Sequence, residues 1–308
     1  LGDQLEDVVT QLCDTGEATH SKTGGKLQTG VNILPDLDKD VADRNRTSPF
    51  AFTGNKFEFR MVGSSDSVSS PNVVLNTIVA EAFKEAADQL EAADDFEMAV
   101  HDMIKKLLAD HKRVIFSGNG YSDEWVVEAE KRGLPNIRSM VDAIPALVTE
   151  KAVKLFEEFH VFTRTELESR VEVEYEWYSK AINIEARTMI DMAGKQIIPA
   201  VIRYTTRLAE SIAAVTNVCP QADVSVQTEL LTKSSNLLAE MKRALTNLQE
   251  VADQAALMKD DKKRQAHQYH DVIVPAMETL RTPADELEML VDKELWPFPS
   301  YGDLIFEV

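Results

Sequence analysis

The fold is decided by residues 224–256, which read VSVQTELLTKSSNLLAEMKRALTNLQEVADQAA. Apolar residues recur there at every seventh position. A second apolar set, also spaced by seven, lies three residues after the last three members of the first set. The two sets are Val224, Leu231, Leu238, Leu245 and Ala252, and then Met241, Leu248 and Ala255. Such a heptad pattern is typical of a helix that packs along its length against another helix. About 32 helical residues would extend about 48 Å at a rise of about 1.5 Å per residue.

The partner of this helix is predicted to be the stretch that precedes it. Apolar residues repeat every three or four positions from Ile182 to Val215, which indicates a second long amphipathic helix. The pair Cys219-Pro220 interrupts the two runs. Residues 163–258 are therefore predicted to form a long antiparallel helical hairpin.

Local signals place the ends and irregularities of these helices. Thr163 with Glu166 matches the S/T-x-x-E capping box, so the first arm is predicted to begin there. Pro199 is expected to kink that arm, because its ring removes a donor and crowds the preceding turn. Pro283 is expected to lie in the first turn of a last helix, where a missing N–H costs nothing.

A pair of short strands is predicted near the other end of the chain. Apolar and charged side chains alternate over residues 56–61, which indicates a β-strand. Phe50 and Phe52 indicate a strand before it, and residues 53–55, Thr-Gly-Asn, are predicted to form the turn.

The predicted fold class is α+β and mostly α. A first domain, residues 1–71, holds the short extended segments and much of the Gly, Ser and Thr. A second, residues 72–308, is dominated by helical periodicity and contains the hairpin. The composition, 44% apolar and 28% charged residues, is that of a globular protein.

The charge balance limits the classes of partner. The chain has 33 Lys+Arg against 52 Asp+Glu, a formal net charge of −19. This balance disfavours sequence-independent binding to nucleic acid, because such binding needs clustered cations. It also disfavours docking on anionic membranes. No apolar run approaches the roughly 18 residues that span a bilayer. Two cysteines, Cys13 and Cys219, cannot form a disulfide framework, so a reducing cytoplasm is the default location.

The residues that could carry chemistry lie on one face of the second predicted strand. Lys56, Glu58 and Arg60 alternate with the aromatic positions, so their side chains share a face. In a polar cavity, Glu58 could bind a metal ion while the two cations hold a phosphate or carboxylate. At the surface, the same pattern would be a solvated strand face. Arg46 adds a cation upstream, and an ordinary loop role for it remains open.

These residues also carry a resemblance to a known family. Residues 44–60, RNRTSPFAFTGNKFEFR, resemble the C-terminal part of the glutamine synthetase catalytic domain, and type III enzymes in particular. The segments Asn119–Trp125, Asn183–Ala186 and Leu295–Pro299 are similar to the same subfamily. Together these matches extend from about residue 31 to residue 308.

The resemblance implies an ATP-dependent ligase that joins ammonia to glutamate. ATP would phosphorylate the γ-carboxylate, and ammonia would displace phosphate from γ-glutamyl phosphate, with Mg²⁺ or Mn²⁺ neutralising the phosphates. The few strands before residue 72 would complete a glutamine-synthetase-type catalytic barrel. By resemblance, the protein would be a cytoplasmic homo-oligomer, a dodecamer of two hexameric rings.

The resemblance also implies a role for each site residue. Glu58 would be a metal ligand, and Arg60 would act in catalysis by holding the glutamate side or the transferred phosphoryl group. Arg46 would bind that phosphoryl group and the nucleotide, and Lys56 would contact the nucleotide. Shorter types of the family carry a further arginine where this chain has Ala51, so one ATP contact would be replaced or absent.

The chain starts at Leu1, and by resemblance the substrate-binding flap and most metal ligands would lie upstream of it. The isolated chain is therefore expected to be inactive, as part of an active enzyme. Two alternatives remain open. One is another carboxylate–amine ligase that uses a different amine. The other is a non-catalytic helical interaction protein derived from such a ligase.

Overall fold

A computed structural model describes residues 1–22, 25–27, 37–38, 50–52, 56–60, 63 and 67–306. The chain divides into two compact units. The first unit comprises Leu1–Arg138 and Lys154–Phe162, and the second comprises Ser139–Val153 and Thr163–Val308. The predicted domain boundary after residue 71 stays a prediction.

The first unit contains short strands and medium-length helices. Its strands form two antiparallel pairs, β1 with β2 and β3 with β4. The strands are β1 (Lys26–Leu27), β2 (Leu37–Asp38), β3 (Phe50–Phe52) and β4 (Phe57–Phe59). The helices are α1 (Asp3–Asp14), α2 (Ser69–Glu91), α3 (Phe96–Asp110) and α4 (Asp123–Lys131). A 3₁₀ turn, Lys112–Val114, follows α3.

The second unit is helical. It begins with α5 (Met140–Ala143) and a 3₁₀ segment, Ile144–Val148, after which α6 (Glu150–Glu158) contributes residues to both units. Its long helices are α7 (Arg164–Met192), α8 (Ile198–Val218) and α9 (Ser225–Ala256). Shorter helices follow, namely α10 (Lys262–Gln268), α11 (Val274–Glu288) and α12 (Tyr301–Phe306). The mostly helical fold class is confirmed. No helix among the described residues is long and apolar enough to cross a membrane.

The predicted helical hairpin is confirmed. Its first arm is α7 followed by α8, and its second arm is α9. The arms are antiparallel, because Arg187 on α7 pairs with Asp253 near the end of α9 at 2.7 Å, while Gly194, seven residues further along the first arm, lies against Leu245. The capping box is also confirmed, since Thr163 N–H donates to the Glu166 carboxylate and Glu166 N–H donates to the Thr163 hydroxyl.

The main hydrophobic core lies in the second unit along α9. The buried heptad residues of α9 pack there against α8 and also against α11. The fully buried α9 members include Met241, Leu248 and Ala252, and α11 adds Leu280 and Leu287. The hairpin is thus completed by a third helix, which the heptad pattern did not predict.

A local widening of the helix precedes two of the helix prolines, Pro199 and Pro275. A π-helical turn, Ala193–Ile197, precedes Pro199, and a second, Tyr269–Ile273, precedes Pro275. A proline in a helix lacks the N–H for the ordinary bond and crowds the preceding turn. The wider turn changes the hydrogen-bond partners just before the proline, so that the helical path continues.

The prediction that Pro283 begins a helix is wrong. Pro283 lies inside α11, which begins nine residues earlier at Val274. The proline is fully buried, on the same face as Leu280 and Leu287. Burial of this apolar face against the core offsets the one helix hydrogen bond that the proline cannot make.

Truncation of Leu248 tests the core. Leu248→Ala should lower the free energy of unfolding by about 2–5 kcal/mol, because the buried leucine would leave a cavity. The measurement is chemical denaturation followed by circular dichroism. The matched control is Leu257→Ala, whose leucine caps α9 and is 81% exposed. It should change stability by less than about 0.5 kcal/mol, and equal effects of the two variants would contradict this account of the core.

Candidate functional site

The candidate site is built on the β3–β4 pair. The strands are antiparallel, with Phe50 opposite Phe59, Ala51 opposite Glu58 and Phe52 opposite Phe57. This pairing confirms the two strands predicted from the alternation of apolar and charged residues. The predicted turn, residues 53–55, lies outside the described residues.

The aromatic side chains of the pair stack on one another and remain accessible. The ring of Phe57 lies 5.4 Å from that of Phe50 and 5.2 Å from that of Phe52. Phe57 is nevertheless 61% exposed and Phe50 is 49% exposed. The buried residue of the pair is Ala51, at 1% exposure, on the face that it shares with Glu58. Ala51 is thus enclosed by its surroundings, while the aromatic rings beside it are open to solvent.

The three charged residues meet at the carboxylate of Glu58. Arg60 donates two hydrogen bonds to Glu58 Oε2, from Nη2 at 2.7 Å and from Nε at 3.2 Å. Lys56 Nζ lies 3.5 Å from the other oxygen, Oε1. The hydrogen bond from Arg60 is the main cause that lowers the pKa of the Glu58 carboxyl, and the charges of Arg60 and Lys56 add to it. Glu58 is thus held as a carboxylate at neutral pH.

The three side chains differ in how far they reach into solvent. Lys56 is 66% exposed, Glu58 38% and Arg60 27%. The guanidinium group is therefore the most shielded member, and the ammonium group is the one most able to move toward a ligand. The arrangement can present cationic donors to an anion while keeping a carboxylate oxygen available.

Glu58 fits a divalent cation as one ligand of several. Carboxylate oxygen is the ligand type that Mg²⁺ and Mn²⁺ prefer. Such ions take about six ligands, and the described part of the chain contains no group of three or more His, Cys, Asp or Glu side chains that could hold a metal ion. The described residues thus supply part of a coordination shell.

Three of the four predicted site residues are among the residues that the structure describes. Arg46 lies outside the described residues, so its predicted role in phosphoryl and nucleotide binding stays a prediction. The structure brings Lys56, Glu58 and Arg60 together on one face, as the alternation indicated. Their assignment to nucleotide, metal and substrate also stays a prediction.

The three remaining sequence motifs have structural roles. In the motif 119–125, Ser122 caps α4 by accepting from Trp125 N–H, and the indole of Trp125 stacks on Phe116 at 4.0 Å. In the motif 295–299, Trp296 and Phe298 pack against the core of the second unit. The motif 183–186 lies on α7, with Ala186 in the core.

Comparison with known proteins shows which proteins the chain is similar to. The family model described as glutamine synthetase C-terminal domain matches residues 99–216. The type-3 glutamine synthetase of Dictyostelium discoideum is 35% identical over 322 residues, which cover 99% of this chain and 42% of that protein. The chain is thus similar to a type-3 glutamine synthetase over nearly its whole length, and part of it matches the C-terminal domain of this kind of enzyme. The resemblance stated from the sequence motifs is thereby confirmed.

Two bacterial glutamine synthetases match over nearly the same range. That of Bacteroides fragilis is 33% identical over 99% of this chain and 43% of its own length. That of Butyrivibrio fibrisolvens is 35% identical over 100% of this chain and 44% of its own length. The chain thus spans about two fifths of the length of the glutamine synthetases that it matches.

The pKa of Glu58 tests the geometry of the charged face. Arg60→Met should raise the pKa of the Glu58 carboxyl toward its usual value, because the main hydrogen bond is lost. Lys56→Met should raise it less, because the ammonium group lies farther away. Carbon-detected NMR titration of the carboxyl group measures both shifts.

The sign of the associated pH dependence follows from the direction of the shift. Because the pKa is lowered in the folded chain, the Arg60 contact stabilises the fold at pH above the usual carboxyl pKa. This stabilisation is lost as the pH falls through the lowered value. A larger pKa shift in Lys56→Met than in Arg60→Met would contradict the arrangement.

Proposed function

We propose that the chain is part of an ATP-dependent glutamate–ammonia ligase that makes glutamine. The observation that carries the proposal is the similarity of nearly the whole chain to three glutamine synthetases. The charged face of β4 supports it, because a carboxylate between two cations suits a site for a metal and an anionic substrate.

The proposed reaction has two steps. The γ-carboxylate of glutamate attacks the terminal phosphorus of ATP, and ADP leaves as γ-glutamyl phosphate forms. Ammonia then attacks the acyl carbon, the C–O bond to phosphate breaks, and glutamine and inorganic phosphate result. A divalent cation, when bound, neutralises phosphate charge in this chemistry. Both steps bring anions together, so fixed positive charge is the main requirement on the protein.

The charged face would meet this requirement with separate roles for its members. Glu58 would bind the divalent cation, for which its lowered pKa is suitable, because a ligating carboxylate must be ionised. Arg60 would orient the glutamate side or the transferred phosphoryl group, as guanidinium groups bind such oxygens in pairs. Lys56 would contact the nucleotide, and Arg46 the nucleotide and the phosphoryl group.

The assembly of the whole protein is part of the same proposal. The strands of the first unit would contribute to a catalytic barrel, and the remaining metal ligands would come from other residues of that barrel. The protein would be cytoplasmic and would form a dodecamer of two hexameric rings. Exposed apolar side chains on α2 and α3 support an oligomer, since surfaces of this kind are typical of protein interfaces. They include Ile78, Val79, Phe83, Phe96, Met98, Ile104 and Leu107.

An activity assay on the full-length protein tests the proposed function. With glutamate, ATP, Mg²⁺ and hydroxylamine, it should form γ-glutamyl hydroxamate. Glu58→Gln and Arg60→Met should each lower kcat about 100-fold or more, as the loss of one electrostatic contact to the transition state does elsewhere. Glu128→Gln is the matched control, because Glu128 pairs with Arg132 at 2.6 Å in the same way, and its kcat should be unchanged.

The outcomes separate the alternatives. Inactivity of the unsubstituted full-length protein with every amine would contradict the ligase and favour a helical interaction protein. Activity with another amine and not with ammonia would identify a related carboxylate–amine ligase. Near-normal rates in both site variants would remove the assignment of Glu58 and Arg60.

The oligomer proposal has its own test. Phe83 is 73% exposed on α2, and Phe83→Asp should shift the full-length protein toward smaller species in analytical ultracentrifugation, because burying the new charge opposes association. Asn72→Asp adds the same charge at an exposed position of the same helix and should leave the mass unchanged. Equal masses for the two variants would exclude this face of α2 from the interface.

A further inference from the structure

An apolar cavity lies in the second unit, lined by residues of α7, α9, α11 and the tail that follows α11. Its volume is about 250 Å³. An engineered apolar cavity of about 150 Å³ in another protein binds benzene, so this cavity has room for a ring or a branched alkyl group with a short chain. Its apolar walls are formed mainly by Met189, Met192, Met241, Leu280, Trp296 and Phe298.

The side chains of the walls suit an apolar ligand. Methionine side chains are unbranched and polarizable, so they adapt to apolar groups of different shape. The rings of Trp296 and Phe298 lie 6.2 Å apart and nearly perpendicular to each other. The indole N–H of Trp296 is shielded from solvent, so the indole offers a ligand its ring and not its donor. The interior thus offers apolar and aromatic contacts.

Two small residues keep the cavity open. Ala284 on α11 lines it, and so does Ala193 in the π-helical turn that follows α7. A larger side chain at either position would take up part of the space. Single π-helical turns inside α-helices are frequent at functional sites, and this turn contributes both Ala193 and Ile197 to the cavity wall.

The charged residues of the cavity lie together on α11. They are Arg281, Asp285 and Glu288, which are exposed and share one face of the helix. Arg281 Nε donates to Asp285 Oδ2 at 3.1 Å, so these two charges compensate each other. Glu288 has no cation within ion-pair distance among the described residues. The cavity therefore combines an apolar interior with one uncompensated negative charge at its mouth.

We propose that this cavity binds a small organic cation, an ammonium group attached to a ring or to a branched alkyl chain. The apolar part of the ligand fills the cavity, where it loses its contact with water. The ammonium group pairs with Glu288 at the mouth. An alcohol of the same shape lacks this contact, and a carboxylate is repelled by Glu288. The inference does not depend on the proposed ligase function, because no residue of the charged face on β4 lines the cavity.

Calorimetry on the full-length protein, at pH 7 and constant ionic strength, tests the proposal. The probes are 2-phenylethylamine and 3-methylbutylamine, each with the alcohol and the carboxylate of the same apolar group as controls. At least one amine should bind saturably, and its alcohol should bind more weakly. Its carboxylate should bind more weakly still, and ethylamine, which has the charge without the bulk, should not saturate. No saturable binding of either amine, or equal affinity for amine and carboxylate, would overturn the proposal.

Paired variants locate the charge contact. Glu288→Gln should weaken binding of the amine roughly two- to fivefold, as expected for an exposed ion pair, and should leave the affinity for the alcohol unchanged. Glu286→Gln is the matched control. It removes the same charge from the other side of α11, outside the cavity lining, where Glu286 lies 3.9 Å from Lys233. Equal weakening by both variants would reduce the effect to net charge and overturn the assignment.

Ala284→Leu tests the cavity itself. The larger side chain should occupy the space and weaken binding of the amine and of its alcohol at least tenfold. Because Ala284 is only partly buried, the thermal midpoint should be unchanged or raised, as is common for substitutions that fill a cavity. Unchanged affinity for the amine in this variant would place the ligand elsewhere and overturn the assignment.

Discussion

The burial of one apolar stripe along α9 is the constraint on which the second unit depends. A helix of this length is stable in water chiefly through packing of its apolar face, because intrinsic helix propensity contributes little. Here α9 is covered by α8 on one side and by α11 on another, so that Met241, Leu248 and Ala252 are fully buried. The same buried side chains of α9 thus hold both α8 and α11 in place.

The first unit is organised differently, because little apolar area is buried in it. Its buried apolar side chains among the described residues are few, namely Val9, Ala51, Leu155 and Phe156, while α2 and α3 expose many. Ion pairs contribute to its contacts, for example between Lys84 on α2 and Glu158 on α6. Such exposed pairs add little stability each. The exposed apolar faces are consistent with the proposed assembly into a larger protein and a homo-oligomer.

The candidate site shows how a local strand pattern can organise charge without a deep cavity. Alternation over residues 56–60 places one cation on each side of the Glu58 carboxylate. The hydrogen bonds from Arg60 keep that carboxylate ionised. A glutamate in this state can bind a divalent cation, and the arginine beside it can bind an oxyanion. The same three groups also satisfy one another in the absence of any ligand, which keeps like charges apart and stabilises the face.

The sequence by itself determined the local elements. Heptad spacing predicted α9, and an apolar repeat of three or four residues predicted its partner arm. The Thr163–Glu166 box predicted the start of α7, and alternation predicted β4 and the common face of Lys56, Glu58 and Arg60. These features depend on residues close in sequence, whose spacing sets which side of a helix or strand they occupy. Only the tertiary structure decided that α11 packs on α9 and encloses Pro283, because the burial that offsets a helix proline comes from residues distant in sequence. It also decided that Ala51 is buried while Phe50 and Phe57 are exposed. Such features follow from how the elements pack, and no spacing along the chain encodes them.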